Sequence, residues 1–440
     1  MTRLITLGLL LAVVFSTLAH GTVEPWSIAI LQGLITALGL LWAMRIFRDK
    51  QINLFMPQTA MPILLLVIYG FIQGMAFTDA NGTRAGLSSD VEATRNATLM
   101  LLVLFIAFLI AANFLNGRES LGRLSTFLVF YGVLLATFAL IQHFTWEGKF
   151  YWFRETKGSA FGPFVNRNHF AGYLAMLAPF PVAMIMARGV ARDRWIFYGF
   201  AAILMGIAIV VSSSRGGLIS LTLGLLFVWL MSRRLQVKGK PAQPAMAEKT
   251  ILATVKRIGL VTLVIAVVSA GVMWIGSEQV INRAAETVGQ LSTSSTTQEK
   301  YFYRSWIWRN TWDMISHRAL WGNGLGAYET AFPRYSAANG EMVISEAHND
   351  YLQILADCGI IGGLLAGWFL MALGQAVWRA VQSRDATLAG VALACGGGIF
   401  ALLVHSFSDF NLQIPSNALL FLVLAAIVSH IGENQAPVTT

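Results

Sequence analysis

The sequence predicts an all-α integral membrane protein. It has about twelve transmembrane helices and one long, partly helical segment on the outer side between spans 9 and 10. Three observations predict this. Of the 440 residues, 56% are hydrophobic and only 12% charged, against about 25% charged in a soluble domain. The apolar residues gather in runs of roughly 17–25, the length that crosses a bilayer as a helix. They show none of the strand-like alternation that a membrane barrel would need. Finally, the basic residues fall in every second loop between those runs.

In chain order the apolar segments lie near 4–20, 26–44, 57–77, 96–115, 121–143 and 168–187, then 195–212, 216–231, 257–276, 354–377, 386–405 and 416–431. The first has Arg3 ahead of a short apolar run ending in TLAH, the outline of a signal peptide. With eleven spans following, a retained first helix is the better reading. If the N-terminus is inside, the inner loops carry Arg45, Arg48 and Lys50; Arg118 and Arg123; and Arg188, Arg192 and Arg194. Arg233, Arg234, Lys238, Lys240, Lys249, Lys256 and Arg257 follow, then Arg379 and Arg384. Every inner loop is basic, so the positive-inside rule puts both termini on the cytoplasmic side. The net charge of +9 therefore reports topology and not a nucleic-acid partner. Cys358 and Cys395 sit in or beside apolar runs and make neither a disulfide framework nor a metal site. No internal repeat is visible, and VKGKPAQPAMAEK (237–249) reads as a flexible inner linker.

Extramembrane structure has room in one place, the outer segment 277–350. The chain thus divides into spans 1–9 over 1–276, that segment, and spans 10–12 over 351–440. Within it, YFYRSWIWRNTWDMISHRALWGNGLGAYETAFPRY (301–335) interleaves aromatics with Arg304, Arg309 and Arg318. Trp308, Trp312 and Ile315 recur at helical spacing, as in an amphipathic helix at the membrane interface. GNGLG (322–326) is a glycine-rich turn. It is not a phosphate loop, since no Gly-Lys-Ser/Thr and no strand accompany it.

Chemistry gathers at the outer ends of the spans. Arg215, in SSSRGG between spans 7 and 8, stands outside against the charge trend. A snorkelling arginine would explain its position. Its serine and glycine neighbours also leave room for a ligand, and its planar fork suits phosphate oxygens. Asn166, Arg167, Asn168 and His169 cluster where span 6 begins, part of that signal being helix capping. His348 and Asn349 precede span 10, and His348, Tyr351, Leu352, Leu355 and Gly359 read as one helical stripe. A helix N-terminus favours a neutral imidazole, which can accept a proton as a general base must. Asp350 and Asp357, seven residues apart, are weak evidence for acid–base work. No zinc-like spacing and no Gly-x-Ser-x-Gly elbow occurs.

Together these motifs resemble the O-antigen ligase superfamily, which also holds polysaccharide polymerases and protein O-oligosaccharyltransferases. The resemblance rests on SSSRGG (212–217) and on His348, Asn349, Gly359 and Gly362. Arg304 and Trp308 ahead of Gly322, Gly324 and Gly326 add to it, as do Asn166 and Asn168 before a span. It covers roughly residues 160–365. It implies a metal-independent, cofactor-free glycosyltransferase in the bacterial inner membrane, with its active site facing the periplasm. The donor would be an undecaprenyl-diphosphate-linked glycan, and the acceptor of a ligase a hydroxyl of lipid A–core. His348 would activate that hydroxyl and Arg215 would stabilise the leaving diphosphate. Arg304, Arg167, Arg309, Asn166, Asn168 and Asn349 would hold diphosphate or glycan. A polymerase would take another lipid-linked glycan as acceptor. A transporter is the reading from a different class, disfavoured because the polar residues gather at one face and not near the midplane.

Overall fold

The computed structural model describes residues 1–50, 53–78, 84–155, 159–235, 304–336 and 343–434, with the isolated Gly259. Described residues are mostly helical. In order come α1 Thr2–Leu18, α2 Pro25–Asp49, α3 Ala60–Gln73, α4 Val91–Phe114, α5 Arg118–Phe144, α6 Arg167–Leu177, α7 Pro179–Met186, α8 Trp195–Val211 and α9 Arg215–Ser232. Then follow α10 Arg304–His317, α11 Tyr328–Ala331, α12 Asp350–Val381, α13 Ala386–His405 and α14 Pro415–Asn434. Two short antiparallel ribbons, Ala76–Thr78 with Arg84–Gly86 and Lys149–Phe150 with Arg154–Glu155, decorate the connections.

Eleven of the twelve apolar segments are helical. Nine helices among the described residues are long and apolar enough to cross a membrane, with α6 and α7 counted as one. Two more, α1 and α3, are apolar but only 17 and 14 residues long. The ninth segment, 257–276, the linker 237–249 and the start of the outer segment lie outside the described residues. The protein is a multi-pass, all-α membrane protein.

Burial ranks the helices. All of the apolar stretch of the α6–α7 span is buried and 94% of that of α14, against 22% of that of α2. The first two form the bundle centre and α2 lies at its rim. Pro179 closes α6 and opens α7, because its ring cannot continue the preceding helix yet suits a first turn. A second, smaller cluster sits under the outer segment, where Ile307, Met314 and Ile315 of α10 meet Tyr328, Phe332, Ala347 and Ala356. The buried face of α10 is therefore Ile307, Thr311, Met314 and Ile315. Trp308 turns its indole N–H to the Ala347 carbonyl at 3.0 Å, and Trp312 is 60% exposed. Only Ile315 of the expected stripe faces inward.

The glycine motifs build one joint. Gly359 in α12 has φ 63° and ψ −160°, which breaks the helix there. The peptide hydrogen bonds lost at the break are remade with the GNGLG turn. Ile360 N–H donates to Ala319 O at 2.8 Å, Asn323 N–H to Ala356 O at 2.9 Å and Gly324 N–H to Asp357 O at 2.9 Å. A Cβ on Gly322 would strike the Asp357 carbonyl, and one on Gly359 the Leu320 carbonyl. Gln73 locks the joint from α3, donating to Trp321 O at 2.7 Å and Asp357 O at 3.0 Å. Gly359 accordingly leaves the stripe that the sequence suggests. So does His348, which precedes the cap residue Asn349 and has φ 52°.

Candidate active site

Two helix N-termini, those of α6 and α9, open toward one pocket of about 200 Å³. It is lined by Arg167, Asn168, Ser213, Arg215, Gly216, Arg304, His405, Ser408 and Asp409. Arg167 and Arg215 are the first residues of α6 and α9, and Arg304 joins them from α10. α6 and α9 each add the partial positive charge of their unpaired N–H groups to a guanidinium, the combination that binds anions. Ser214 caps α9 by accepting from Gly217 N–H at 3.1 Å. Gly216 lets that helix approach α13 so closely that a Cβ there would meet the His405 ring at 2.7 Å. Three arginines in the lining face one carboxylate, so the pocket is cationic.

That carboxylate, Asp409, is 1% exposed and organises the site. His348 Nδ1 lies 3.6 Å and His169 Nε2 3.8 Å from its Oδ1, while Arg304 approaches its Oδ2 at 3.7 Å. Phe410 fills the space between the two imidazoles, with ring centroids 4.8 Å from each and interplanar angles of 74° and 75°. Burial pushes the Asp409 carboxyl up, but the imidazoles of His169 and His348 beside it outweigh that and hold it well below the usual carboxylate range. It is ionised at neutral pH. The separations are slightly too long for hydrogen bonds and leave His348 Nδ1, His169 Nε2 and Asp409 Oδ2 unsatisfied. Catalytic contacts often tighten only when substrate binds. Among the described residues, no three His, Cys, Asp or Glu side chains form a metal-binding group.

The turn between α13 and α14 that carries Asp409 is pinned to the start of α12. Asp350 N–H donates to Ser406 O at 2.9 Å, Asn349 Nδ2 to Phe407 O at 3.2 Å and Tyr351 OH to Leu403 O at 2.8 Å. These bonds bring His348 to Asp409 from sixty residues away in sequence. With Nδ1 facing a carboxylate, the tautomer protonated on Nδ1 is favoured and Nε2 is left as the acceptor.

The sequence-selected residues thus divide. Arg167, Asn168, Arg215 and Arg304 line the pocket, and His348 stands behind it across Asp409. Asn166 and Asn349 act as helix caps, accepting from Asn168 N–H at 2.9 Å and from Tyr351 N–H at 2.9 Å. Arg309 is exposed on α10 and absent from the lining; five residues along a helix turn it about 140° from Arg304. Sequence reasoning missed Asp409, His405 and Ser408. The signal was HSFSDFN (405–411), an ionisable cluster at the end of a span like the one around His348.

Residues 200–367 match the family model described as O-antigen ligase. The match contains Arg215, Arg304 and His348 and ends before His405 and Asp409. No curated protein matches the chain.

Proposed function

Residues 200–367 match the O-antigen ligase family model, and from that premise we propose that the chain is an O-antigen ligase. It transfers a glycan from an undecaprenyl-diphosphate donor to a hydroxyl of lipid A–core, at the periplasmic face of the bacterial inner membrane. The observation that carries this reading is the adjacency of an anion pocket and a carboxylate-backed histidine. Arg167 and Arg215 at two helix N-termini, with Arg304 beside them, suit a diphosphate, and His348 suits a hydroxyl.

The proposed step follows from those positions. The acceptor oxygen attacks the anomeric carbon of the first sugar, forming the new glycosidic bond. The bond from that carbon to the phosphate oxygen breaks, and undecaprenyl diphosphate leaves with the electron pair. The hydroxyl proton passes to His348 Nε2, and Asp409 stabilises the imidazolium that forms. Charge accumulates on the leaving diphosphate in the transition state, where prearranged guanidiniums act most strongly. Arg215 is the catalytic arginine in this scheme, with Arg304 and Arg167 binding the diphosphate. Asn168 contributes at the pocket wall, while Asn166 and Asn349 hold the helix ends that carry Arg167 and His348.

Purified protein supplied with lipid-linked glycan, with and without lipid A–core, tests the proposal. Glycan attached to core, formed only when core is added, is the expected product. Lengthened lipid-linked glycan without core would replace the ligase with a polymerase. Glycan on neither acceptor, under conditions where the protein is folded, would remove the transferase reading.

A further inference from the structure

A second outer-face cavity of about 310 Å³ adjoins the arginine pocket, and its chemistry differs. It is lined by Gln142, His143, Trp146, Ser159, Ala160, Phe161 and Gly162, with no lysine, arginine or carboxylate. Its size falls at the lower end of the about 300–1,000 Å³ typical of small-molecule sites. The two cavities share a wall: Arg167, which lines the first, donates its backbone N–H to the carbonyl of Ser159, which lines the second, at 2.9 Å.

We infer that this cavity is a saccharide subsite, in which a pyranose ring of the donor glycan stacks on Trp146 while His143 and Ser159 bind its hydroxyls. A sugar ring presents a face of C–H groups and a rim of hydroxyls. It is recognised by an exposed aromatic face beside neutral hydrogen-bonding groups, whereas a diphosphate requires the cations next door. Trp146 is 41% exposed. The floor is rigid: with its amide turned to do so, Gln142 donates to Gly162 O at 2.8 Å and accepts from Tyr151 N–H at 2.7 Å. Gly162 has φ 55°, and a Cβ there would press on Ala139 and Phe170. His143 stacks against Phe161 at 5.3 Å, and among the described residues nothing hydrogen-bonds its ring nitrogens. The wall shared with Arg167 sets a sugar in this cavity beside the phosphates of the same donor molecule.

The inference rests on the transferase reading only in naming the glycan as donor. The test uses the full chain in lipid nanodiscs with two separate probes. One is the oligosaccharide freed from the lipid-linked glycan by mild acid, and the other is inorganic pyrophosphate. Trp146→Ala should weaken oligosaccharide binding about five- to tenfold, the scale of one aromatic contact, and leave pyrophosphate binding unchanged. Trp146→Phe, which keeps an aromatic face, should recover most of it, and Arg215→Ala should show the opposite selectivity. In turnover, Trp146→Ala should raise KM for the donor by a similar factor with kcat nearly constant. Oligosaccharide binding that is indifferent to Trp146→Ala overturns the subsite and leaves the transferase intact. Equal loss of both probes in Trp146→Ala and Trp146→Phe also overturns it, since the residue would then act on the fold. Selective binding in a protein that transfers glycan to nothing keeps the subsite and removes the transferase.

Discussion

The motif around residue 348 and the motif around residue 359 are eleven residues apart on one chain segment, yet they do unlike work. At His348 the surroundings are ionic: His348, a second imidazole and an arginine each stand within 4 Å of one buried carboxylate. At Gly359 they are almost entirely peptide: carbonyls and N–H groups of the 319–326 turn replace the bonds that the broken helix lost. The first arrangement can move a proton and hold an anion. The second can do neither, and fixes where the first one sits. A substitution at the ionic site should therefore abolish turnover in a folded protein. One at the glycine joint should lower stability first, and turnover only as a consequence.

The largest effect that divides the two regions is expected at His348. Removing a general base costs about 10²–10⁴ in rate. His348→Ala should lose transfer by that factor and keep donor affinity and melting temperature. His348→Gln should be equally slow, because glutamine retains a hydrogen bond but takes up no proton. Turnover of His348→Gln near the wild-type rate would reduce the histidine to a positioning group and shift the comparison toward the structural side.

Next in size are the arginines. Arg215→Ala should cost roughly 10²–10³ in kcat, the range seen when one prearranged charge stabiliser is removed. Arg215→Lys should restore only part of that, because an ammonium cannot reproduce the bidentate fork. Arg309→Ala, exposed and outside the pocket lining, should stay within a few-fold of wild type. Equal losses at Arg215 and Arg309 would show that general positive charge matters and the pocket does not.

The contrast also explains what was legible in the sequence. Hydropathy revealed the spans, because a bilayer-crossing segment must be both long and apolar whatever it packs against. Arg167 and Arg215 were legible as ionisable groups at span ends, and Arg304 as one of the arginines interleaved with aromatics in 301–335. Asp409 was not, because its importance comes from the closure of the α13–α14 turn onto α12, and no local pattern encodes that approach. GNGLG read as a turn, and it is one. Its partner, the kink at Gly359, was hidden because the segment 354–377 reads as an unbroken membrane helix. The tryptophan spacing marked a helix, but not its buried face: Trp312 is exposed, and α10 packs Ile307 and Met314 against the Tyr328–Phe332 cluster.

At the joint, Gly359→Ala should destabilise by about 1–3 kcal/mol from the left-handed backbone alone, with the contact to the Leu320 carbonyl adding to it. Gly33→Ala in α2, where a Cβ would meet nothing within 4 Å, is the matched control and should be near neutral. Thermal midpoints in detergent measure both. If Gly359→Ala melts with the control yet has lost turnover, the joint belongs to the chemistry and the division between the two regions fails.

The smallest effect concerns Glu346, which precedes both regions in sequence, two residues before His348. Burial pushes its carboxyl well above its ordinary value of 4.5, with Asp357, Asp350 and Glu329 adding like-charge repulsion. A raised folded-state value means that the folded protein holds this proton more tightly than the unfolded chain does. Stability therefore falls as pH rises above about 4.5, through the interval up to the folded value, and stays lower beyond it. Glu346→Gln removes the proton exchange and keeps the shape. It should melt like the wild type near pH 4 and at a higher temperature at pH 7–8. The difference in midpoint between the two proteins across that range is the measurement, and its sign decides the matter. A wild type more stable than Glu346→Gln at pH 7–8 would mean that the ionised carboxylate has a favourable partner on folding, and Glu346 would then have to be counted with the ionic site around His348.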